Sequence, residues 1–274
     1  MKKTGTKIII QIVLIIGACV MIMPFLWMVL TSLKTTTEST QINPFVFFPT
    51  SFRIENYIAV IQQNNFLALY SNTIIMMVLR VACACIFSSM AAYAFARLEF
   101  PGKNFFFGIV LLQMMVPVQV FIIPQYLMID ALNLRNTIFA LIFPGLVSAF
   151  GTFLLRQFYM GLPKDLEEAS VLDGCNIGQT FVKVMLPLTR SGLVALGIFT
   201  SLFAFKDLMW PMIINSDSDK STLASALAQI ASSYAVNYPQ LMAAATLAIL
   251  PMLIIYIIFQ RQFIEGIATS GGKL

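Results

Sequence analysis

Three ionisable side chains lie inside long apolar runs of this sequence, and such positions are the first candidates for chemistry. Arg80 lies about a third of the way into one run, and Lys206 and Asp207 are adjacent in another. A charge at membrane depth needs a partner, a water-filled cavity or a solute, because leaving it alone in hydrocarbon is costly. Arg80 therefore either pairs with a helix carbonyl or carboxylate, or lies on the path of a solute. Lys206 and Asp207 point in different directions if they share a helix. We expect Asp207 to be buried and paired with a polar neighbour from another span, or to face the path of a solute.

The other residue types exclude most catalytic chemistry. Histidine is absent from the 274 residues, which removes the commonest metal ligand and general base. Cys83 and Cys85 are two positions apart and face different sides of a helix, Cys19 lies in another apolar run, and Cys175 lies in a polar segment. This spacing favours reduced thiols over a zinc site or a disulfide. The sequence predicts no catalytic residue, no bound metal and no cofactor in this chain.

A polar segment, LEEASVLDGCNIGQTFVKVMLPL at residues 166–188, interrupts the apolar chain. It predicts a short helix capped by Asp165, with Glu168 three residues later as in a capping box. The helix dipole favours the negative charges of Glu167 and Glu168 in the first turn. Gly174 suits the left-handed backbone position that ends a helix.

The second half of this segment predicts another short helix, which Asn176 caps. This helix runs into Leu186 and Pro187 and then into the next apolar run. Together the two helices form a predicted elbow, whose exposed side carries Ala169 and Ser170 beside carboxylates. Small side chains allow another protein backbone to approach closely, and carboxylates pair with arginine. A solvated loop with helical propensity is the alternative interpretation of the same residues.

The elements that position these residues are membrane helices. The chain is 59% hydrophobic and 11% charged, with a mean hydropathy of +0.86, whereas a soluble domain carries roughly 25% charged residues. A helix needs about 20 apolar residues to cross a bilayer. Prolines within the apolar runs predict kinked or broken helices, since neighbouring helices satisfy the carbonyls that a proline frees. The six runs of sufficient length are at about 8–33, 72–95, 105–128, 137–157, 188–214 and 240–262, and their prolines are Pro24, Pro117, Pro124, Pro144, Pro211 and Pro251.

The basic residues predict the orientation of these helices. If the N-terminus is cytoplasmic, inside segments hold 11 of the 17 basic residues, outside segments hold 4, and 2 lie in spans. The positive-inside rule then places both termini in the cytoplasm. The first apolar run exceeds the about 7–15 residues of a signal peptide, which favours a retained helix over a cleaved signal. The inside residues are Lys2, Lys3, Lys7, Arg97, Lys103, Arg156, Lys164, Lys183, Arg190, Arg261 and Lys273, and the outside residues are Lys34, Arg53, Arg135 and Lys220.

The sequence thus predicts an all-α integral membrane protein, a single domain of residues 1–274 with six transmembrane helices. Residues 163–187 lie in the cytoplasm between helices 4 and 5. Residues 34–71 form an outside loop with enough aromatic residues to lie on the bilayer surface.

The elbow also resembles the EAA signature of permease subunits of bacterial ABC importers. EAS at residues 168–170, three further residues and Gly174 are followed after nine residues by VMLP at 184–187. The signature has Glu-Ala-Ala and Gly followed by Ile-x-Leu-Pro, so Ser170 and Val184 are mild departures from it. Further stretches are similar to the carbohydrate-uptake, MalG-type branch of this family. They are PFLWMVLTSLK (24–34), AAYAFARLEFPGK (91–103), FLLRQF (153–158), LMWP (208–211) and FQRQFIEG (259–266).

The resemblance implies a permease subunit that imports a sugar or oligosaccharide across the bacterial cytoplasmic membrane. The elbow would be the coupling helix that docks on a separate ATPase subunit. ATP and Mg would be bound by that ATPase, since this chain has no G-x-x-x-x-G-K-[ST] sequence. The implied partners are a second homologous permease, two ATPase subunits, an extracytoplasmic sugar-binding protein and the lipid bilayer, with no nucleic acid. The implied ATPase-docking residues are Glu167, Glu168, Ala169, Ser170, Asp173, Gly174, Leu186 and Pro187.

Four residues become candidates for the translocation pathway under this hypothesis: Arg80, Lys206, Asp207 and Trp210. Trp210 would either stack on a sugar ring or anchor its helix at the membrane interface. Relatives often carry an Asn-Glu-like pair near Lys206, so this lysine departs from the family pattern.

Two other classes of function are weaker matches. A secondary transporter or channel would need several carboxylates at membrane depth, and only Asp207 qualifies. A membrane enzyme would lack histidines and clustered acids for its chemistry. Within the permease class, an amino-acid, peptide or anion cargo stays open.

Overall fold

The structure is a computed structural model that describes residues 2–233 and 237–271, and the regular elements among these residues are helices. The chain forms two compact units. The first consists of Met1–Phe66 with Ala226–Pro251, and the second consists of Leu67–Ser225 with Met252–Leu274. The α-helices in chain order are α1 (Lys2–Ser32), α2 (Thr36–Thr40), α3 (Glu55–Gln63), α4 (Phe66–Arg97), α5 (Lys103–Met115), α6 (Ile122–Ala131), α7 (Ile138–Ile142), α8 (Ala149–Met160), α9 (Asp165–Leu172), α10 (Ile177–Thr180), α11 (Leu186–Leu188), α12 (Arg190–Lys206), α13 (Met209–Ile214), α14 (Leu223–Ser233) and α15 (Tyr238–Gly271).

Three helical stretches are long and apolar enough to cross a membrane by themselves: Lys7–Ser32, Phe66–Arg97 and Tyr238–Arg261. Three further pairs of helices pass the same test only when each pair is taken together. Counting each pair as one bent span gives six spans, the same number as the apolar runs of the sequence. The bounds differ in the third pair, because its first helix, Ile177–Leu188, lies in the second half of the predicted elbow. The pairs are Lys103–Met115 with Val118–Ala131 (bent by 103°), Ile138–Gly145 with Ala149–Met160 (48°), and Ile177–Leu188 with Arg190–Lys206 (75°).

The third predicted span, 105–128, is not one helix. α5 ends at Met115 because Pro117 disfavours helical backbone in the residue before it, and Val116 is extended (φ −87°, ψ 127°). A 3₁₀ turn at Val118–Phe121 then leads into α6. A sharp bend therefore replaces the straight crossing that the sequence predicts.

The fifth predicted span, 188–214, also differs from the structure. α12 stops at Lys206, because Asp207 has extended backbone (φ −66°, ψ 112°), and α13 begins only at Met209. The apolar pattern continues through this break, so hydropathy alone joins the two helices into one.

Prolines act differently in different spans. Pro24 and Pro251 lie inside the continuous helices α1 and α15. Pro144 instead lies in a 3₁₀ turn, Phe143–Gly145, between α7 and α8. This turn exposes backbone carbonyls in the middle of an apolar span, and side chains of other helices must satisfy them.

Two buried clusters in the second unit position the candidate residues. The first cluster surrounds the Pro144 turn, and the second lies where α4, α8 and α12 meet the elbow. Buried members of the first are Met76, Met77, Ile129, Ala140, Leu141, Ile142, Ala204, Trp210 and Ile214. Those of the second are Ala92, Tyr93, Leu155, Tyr159, Met185 and Leu196.

Candidate functional site

The first arm of the elbow ends as its glycine predicts. Gly174 follows α9 with a φ of +82°, in the left-handed region. The N–H of Cys175 donates to the carbonyl of Ser170, and the N–H of Gly174 donates to that of Val171, both at 3.0 Å. These two bonds form a Schellman motif, which satisfies carbonyls that the helix end leaves free. Most other residues at Gly174 would pay roughly 1–2 kcal/mol for this backbone conformation, whereas asparagine and aspartate tolerate it.

The second arm begins with the predicted cap. The side chain of Asn176 accepts the N–H of Gln179 at 2.9 Å, and the side chain of Gln179 accepts the N–H of Asn176 at 3.0 Å. α10 then continues through one π-helical turn, Phe181–Met185, into α11. The reciprocal cap fixes the angle at which the chain leaves Gly174.

The predicted capping box at Asp165 and Glu168 is wrong. Lys164 already has helical backbone (φ −68°, ψ −30°), so Asp165 is the first residue of α9, and no side chain caps the helix. The carbonyl of Lys164 accepts the N–H groups of Glu167 and Glu168, at 2.9 and 3.2 Å. The donors that a cap would need are therefore already bonded.

Ser170 corrects a second prediction, because it lies inside the elbow and not on its exposed side. Its side chain is 4% exposed, and Oγ lies 2.8 Å from Thr180 Oγ1 and donates to the carbonyl of Glu167 at 2.8 Å. The serine hydroxyl thus joins the two arms.

The outer face of the elbow combines carboxylates, small residues and apolar side chains. Val171, Leu172 and Ile177 are 64%, 89% and 61% exposed, and a group of exposed apolar side chains of this kind is typical of a surface that binds another molecule. Glu168, Ala169, Val171, Leu172, Asp173, Gly174 and Ile177 are all exposed.

The inner face of the elbow is bonded to the membrane spans through Arg97, the last residue of α4. Its side chain is 6% exposed, Nη2 donates to the carbonyl of Leu162, and Nε lies 3.7 Å from Glu167 Oε2. Glu167 therefore points into the protein and pairs within the chain, unlike Glu168. The sequence identifies Arg97 only as one of the inside basic residues, because its partner lies 70 positions away.

Aromatic rings reinforce this attachment. The ring of Phe181 lies 5.2 Å from that of Tyr93 and 6.4 Å from that of Tyr159, measured between centroids. Tyr93 belongs to α4 and Tyr159 to α8, so the second arm packs on two spans at once.

Leu186 and Pro187 form the end of the elbow in α11, where Leu186 is half-buried and Pro187 is exposed. The chain bends directly after them. The hydroxyl of Thr189 donates toward the carbonyls of Met185 (3.2 Å) and Leu186 (3.0 Å), and its backbone N–H donates to the same two carbonyls, each at 3.2 Å.

A second cluster, the Arg80 junction, consists of Arg80, Leu141 and Asp207. Arg80 is 6% exposed; Nε and Nη2 donate to the carbonyl of Leu141, and Nη1 donates to Asp207 Oδ2 at 2.8 Å. Both the carbonyl pairing and the carboxylate pairing expected for Arg80 are present. Asp207 pairs with another span as predicted, although its side chain is 22% exposed and only half-buried.

Trp210 completes the same region. Pro144 has no N–H, so it cannot bond the carbonyl of Ala140 four residues earlier. The indole N–H of Trp210 donates to this carbonyl at 2.8 Å, and the ring is 3% exposed. This arrangement favours the packing role of Trp210 over stacking on a solute ring.

Lys206 lies outside the junction. It is exposed at the end of α12, while the neighbouring Asp207 turns toward Arg80. The adjacent charges therefore diverge, as their spacing predicts, and only one of them takes part in the ion pair.

Bent apolar spans, an internally braced elbow and a paired intramembrane charge define a multi-pass membrane protein without a nucleotide-binding sequence of its own. A family described as "Binding-protein-dependent transport system inner membrane component" matches residues 84–268, more than half of the chain. The chain belongs to this family of ABC-importer permeases.

Individual relatives agree with this assignment. The chain is 33% identical, over 99% of both chains, to the arabinooligosaccharides transport system permease protein AraQ of Halalkalibacterium halodurans. It is 33% identical to the diacetylchitobiose uptake system permease protein NgcG of Streptomyces coelicolor, over 94% of this chain and 86% of the relative. A solved bacterial ABC transporter that imports the acidic polysaccharide alginate shares the fold, with a TM-score of 0.78, 24% identity, and coverage of 95% of this chain and 97% of that one.

We expect Asp207→Leu to destabilise the protein, because it leaves the charge of Arg80 without its carboxylate at membrane depth. Loss of one partner of a buried pair costs about 3–5 kcal/mol, and the partial exposure of Asp207 lowers this to about 2 kcal/mol. The thermal midpoint of the detergent-solubilised complex, followed by fluorescence-detected size exclusion, should fall clearly. The double variant Arg80→Met, Asp207→Leu should recover part of the loss.

Lys206→Leu is the matched control, since it removes an adjacent exposed charge that is outside the pair. The thermal midpoint of the Lys206→Leu variant should stay near that of the unmodified protein. Equal midpoints for Asp207→Leu and Lys206→Leu would show that the ion pair contributes nothing.

Proposed function

We propose that this chain is a permease subunit of an ATP-driven importer that carries a sugar or oligosaccharide across the cytoplasmic membrane. The elbow is its coupling segment, through which a separate ATPase moves the membrane helices. The chain itself performs no covalent chemistry.

The observation that carries this proposal is the contrast between the two faces of the elbow. The inner face is bonded to α4 and packs on α4 and α8 through Arg97, Glu167 and Phe181. The outer face exposes Glu168 and Leu172, and none of the residues that the structure describes covers them. A segment that is rigidly attached on one side and exposed on the other can pass a displacement from a docked protein to the spans.

The roles within the elbow follow from this division. Glu168 supplies a carboxylate for a basic group of the ATPase, and Ala169 and Gly174 allow close backbone approach. Asp173 adds a second carboxylate, while Ser170 and Glu167 hold the elbow together and to α4. Leu186 and Pro187 end the segment at the 75° bend into α12.

The docking model requires the elbow and both termini to be cytoplasmic. The distribution of basic residues supports this orientation, since Arg97, Lys103, Arg156 and Lys164 cluster at one end of their helices. Arg156 of α8 donates to the carbonyl of Phe95 in α4 at 3.2 Å and lies over the ring of Phe107 in α5. Positively charged helix ends of this kind favour the cytoplasmic side.

The proposed complex contains a second homologous permease, two ATPase subunits that bind ATP and Mg, and an extracytoplasmic solute-binding protein. Membership of a binding-protein-dependent transport family supports the ATPase and the binding protein as partners. ATP-driven closure of the ATPases would displace the elbow and turn the spans from inward-open to outward-open.

A carbohydrate cargo is supported by the names of the relatives, which act on arabinooligosaccharides and diacetylchitobiose. A phosphorylated polyol is a second candidate. The sn-glycerol-3-phosphate transport system permease protein UgpE of Yersinia pestis is 35% identical over 67% of this chain and 66% of the relative.

ATP hydrolysis by the purified complex tests the cargo. We expect the complex, reconstituted with its binding protein, to hydrolyse ATP faster with a neutral oligosaccharide than without one. The panel should contain arabino-oligosaccharides, diacetylchitobiose, glycerol 3-phosphate and an amino-acid mixture. Stimulation by the amino acids alone would contradict the proposal, and stimulation by glycerol 3-phosphate alone would favour the second candidate.

Gly174→Trp combined with Glu168→Lys should uncouple the ATPase. The tryptophan prevents close approach, and the lysine reverses the charge offered to a basic partner. We expect normal amounts of the subunit in the membrane, because neither residue lies in a span, and at least about tenfold weaker retention of the ATPase, equivalent to about 1.4 kcal/mol. Co-purification and solute uptake measure the two effects.

Gly174→Asn is the matched control for the bulky substitution. Asparagine tolerates the left-handed backbone, and a Cβ atom at this position meets nothing within 4 Å. It should therefore keep most of the ATPase binding. Full retention and uptake in the Gly174→Trp, Glu168→Lys variant would show that the elbow is only a solvated loop.

Cysteine labelling tests the orientation. In a background without the native cysteines, Ser51→Cys should react with a membrane-impermeant maleimide in intact cells. Lys164→Cys should react only after permeabilisation. Both positions are exposed, so the reverse pattern would overturn the proposed topology.

A further inference from the structure

The segment that follows α1 carries a large apolar surface with no cover from its own unit. Ile42 is 85% exposed and Phe52 is 71% exposed, although a soluble protein rarely exposes contiguous apolar patches of this kind. The exposed apolar side chains of this segment are Ile42, Phe45, Phe48, Phe52, Ile54, Ile58 and Ile61.

The segment folds back along the last turns of the apolar helix. The ring of Phe45 stacks on that of Trp27 with centroids 5.4 Å apart and planes 5° apart, and the ring of Phe47 lies 5.6 Å from it. Trp27 precedes the end of α1 at Ser32 by five residues, or about 7.5 Å of helix. The aromatic rings therefore lie at the depth of the end of the span and not beyond it.

Polar contacts on the inner side hold the segment at this depth. The ammonium of Lys34 lies 4.1 Å from the Trp27 ring centroid and donates to the carbonyl of Val46 at 2.6 Å. Asn56 Nδ2 donates to the carbonyls of Ser32 and Lys34, both at 2.9 Å. These bonds connect the beginning and the end of the segment to the end of α1.

The first two charges after α1, Lys34 and Glu38, are held within the segment by hydrogen bonds, whereas Arg53 and Glu55 are exposed. Burial lowers the pKa of Lys34. The backbone N–H of Thr35 and the hydroxyl of Thr50 lower the pKa of Glu38 to about 2, so this carboxylate stays ionised and bonded to the loop. Between Glu38 and Arg53 the sequence has no charged residue.

α3 presents a second apolar surface of the same segment. Ile54, Ile58 and Ile61 are spaced four and three residues apart, which places them on one helix face, and each is at least 50% exposed. The opposite side faces the protein: Val60 is 0% exposed, and Tyr57 Oη lies 2.6 Å from Ser32 Oγ. An amphipathic helix with this division of faces suits the plane of a membrane interface.

We propose that residues 42–61 form an anchor in the membrane interface, with the exposed rings and the isoleucine face inserted at the boundary between lipid headgroups and acyl chains. The partner is a lipid surface, because residues 42–52 and the isoleucine face of α3 carry no charge, lie at the depth of Trp27, and continue the apolar surface of Lys7–Ser32, which is 0% buried. The exposed charges of Arg53 and Glu55 lie beside this surface. Aromatic side chains are enriched at this depth of the bilayer. The anchor does not depend on which solute is transported. It fixes the depth in the bilayer at which α1 ends.

Depth-dependent fluorescence tests the anchor. Single cysteines replace Phe48, Ile58 or Glu55 in a background without native cysteines, and each carries an NBD label. The purified complex is placed in nanodiscs of phosphatidylethanolamine and phosphatidylglycerol, with or without bromine on the upper acyl chain. At Phe48 and Ile58 we expect roughly twofold lower fluorescence in brominated lipid, because an interfacial helix buries its apolar face about 5–10 Å deep.

Glu55→Cys is the matched control, since Glu55 is exposed on α3 about 100° away from Ile54. The fluorescence of its NBD label should be quenched by aqueous iodide and not by brominated lipid. Labels at Phe48 and Ile58 that respond only to iodide would overturn the proposal. Labels protected from both quenchers would overturn it as well, by showing that a protein subunit covers the surface.

Discussion

The second unit depends on the hydrogen bonds and the ion pair that the guanidinium of Arg80 makes. Inside a membrane there is no water to satisfy backbone groups or charges, so each must find a partner in the protein. Arg80 satisfies a backbone group and a charge together, because it donates to the carbonyl of Leu141 and to the carboxylate of Asp207. Three spans are thereby connected: α4 supplies the charge, the broken fourth span supplies the carbonyl, and the end of α12 supplies the carboxylate.

The breaks in the spans and the position of Arg80 require each other. Pro144 removes the N–H that would bond Ala140, and the 3₁₀ turn that follows changes the direction of the fourth span. Gly145 in this turn has to be glycine, because a Cβ atom there would lie 2.6 Å from Cγ of Arg80. Trp210 and Arg80 then take the two neighbouring carbonyls, of Ala140 and Leu141. A stable bend at this depth thus needs side chains from two other helices.

Local features of the elbow were predictable from the sequence, whereas its long-range contacts were not. Gly174 and Asn176 act on residues within a few positions, so turn and cap chemistry identifies them. Ser170 looked like a small exposed residue, because its partner Thr180 meets it only after the chain has turned at Gly174. The pairing of Arg97 with Glu167 was unpredictable for the same reason, because the fold brings together two residues that are far apart in the sequence.

The membrane spans show the same difference between local features, which the sequence predicts, and long-range contacts, which it does not. Hydropathy located all six apolar runs but not the ends of α5 and α12, since apolar residues continue through both breaks. Asp207 was expected to pair with a polar group of another span, because an unpaired charge is costly there. The identity of Arg80 as that partner depends on how the helices pack, which the order of residues along the chain does not contain.

The break in the third span differs from the break in the fourth in one important respect. Around Pro144 the carbonyls of Ala140 and Leu141 are satisfied within the chain, residues 140–142 are buried, and residues 143–146 are half-buried. Around Pro117 every residue from 111 to 120 is exposed. Non-helical backbone is stable at membrane depth only where protein covers it or water reaches it. Gln113 and Gln119 flank this break, and their amide groups can form hydrogen bonds either with a covering protein or with water. Lipid offers no hydrogen-bond partner to these side chains or to the open backbone. The bend at Pro117 therefore needs cover from protein or contact with water, which the second permease of the proposed complex, or the aqueous path between the two permeases, would supply.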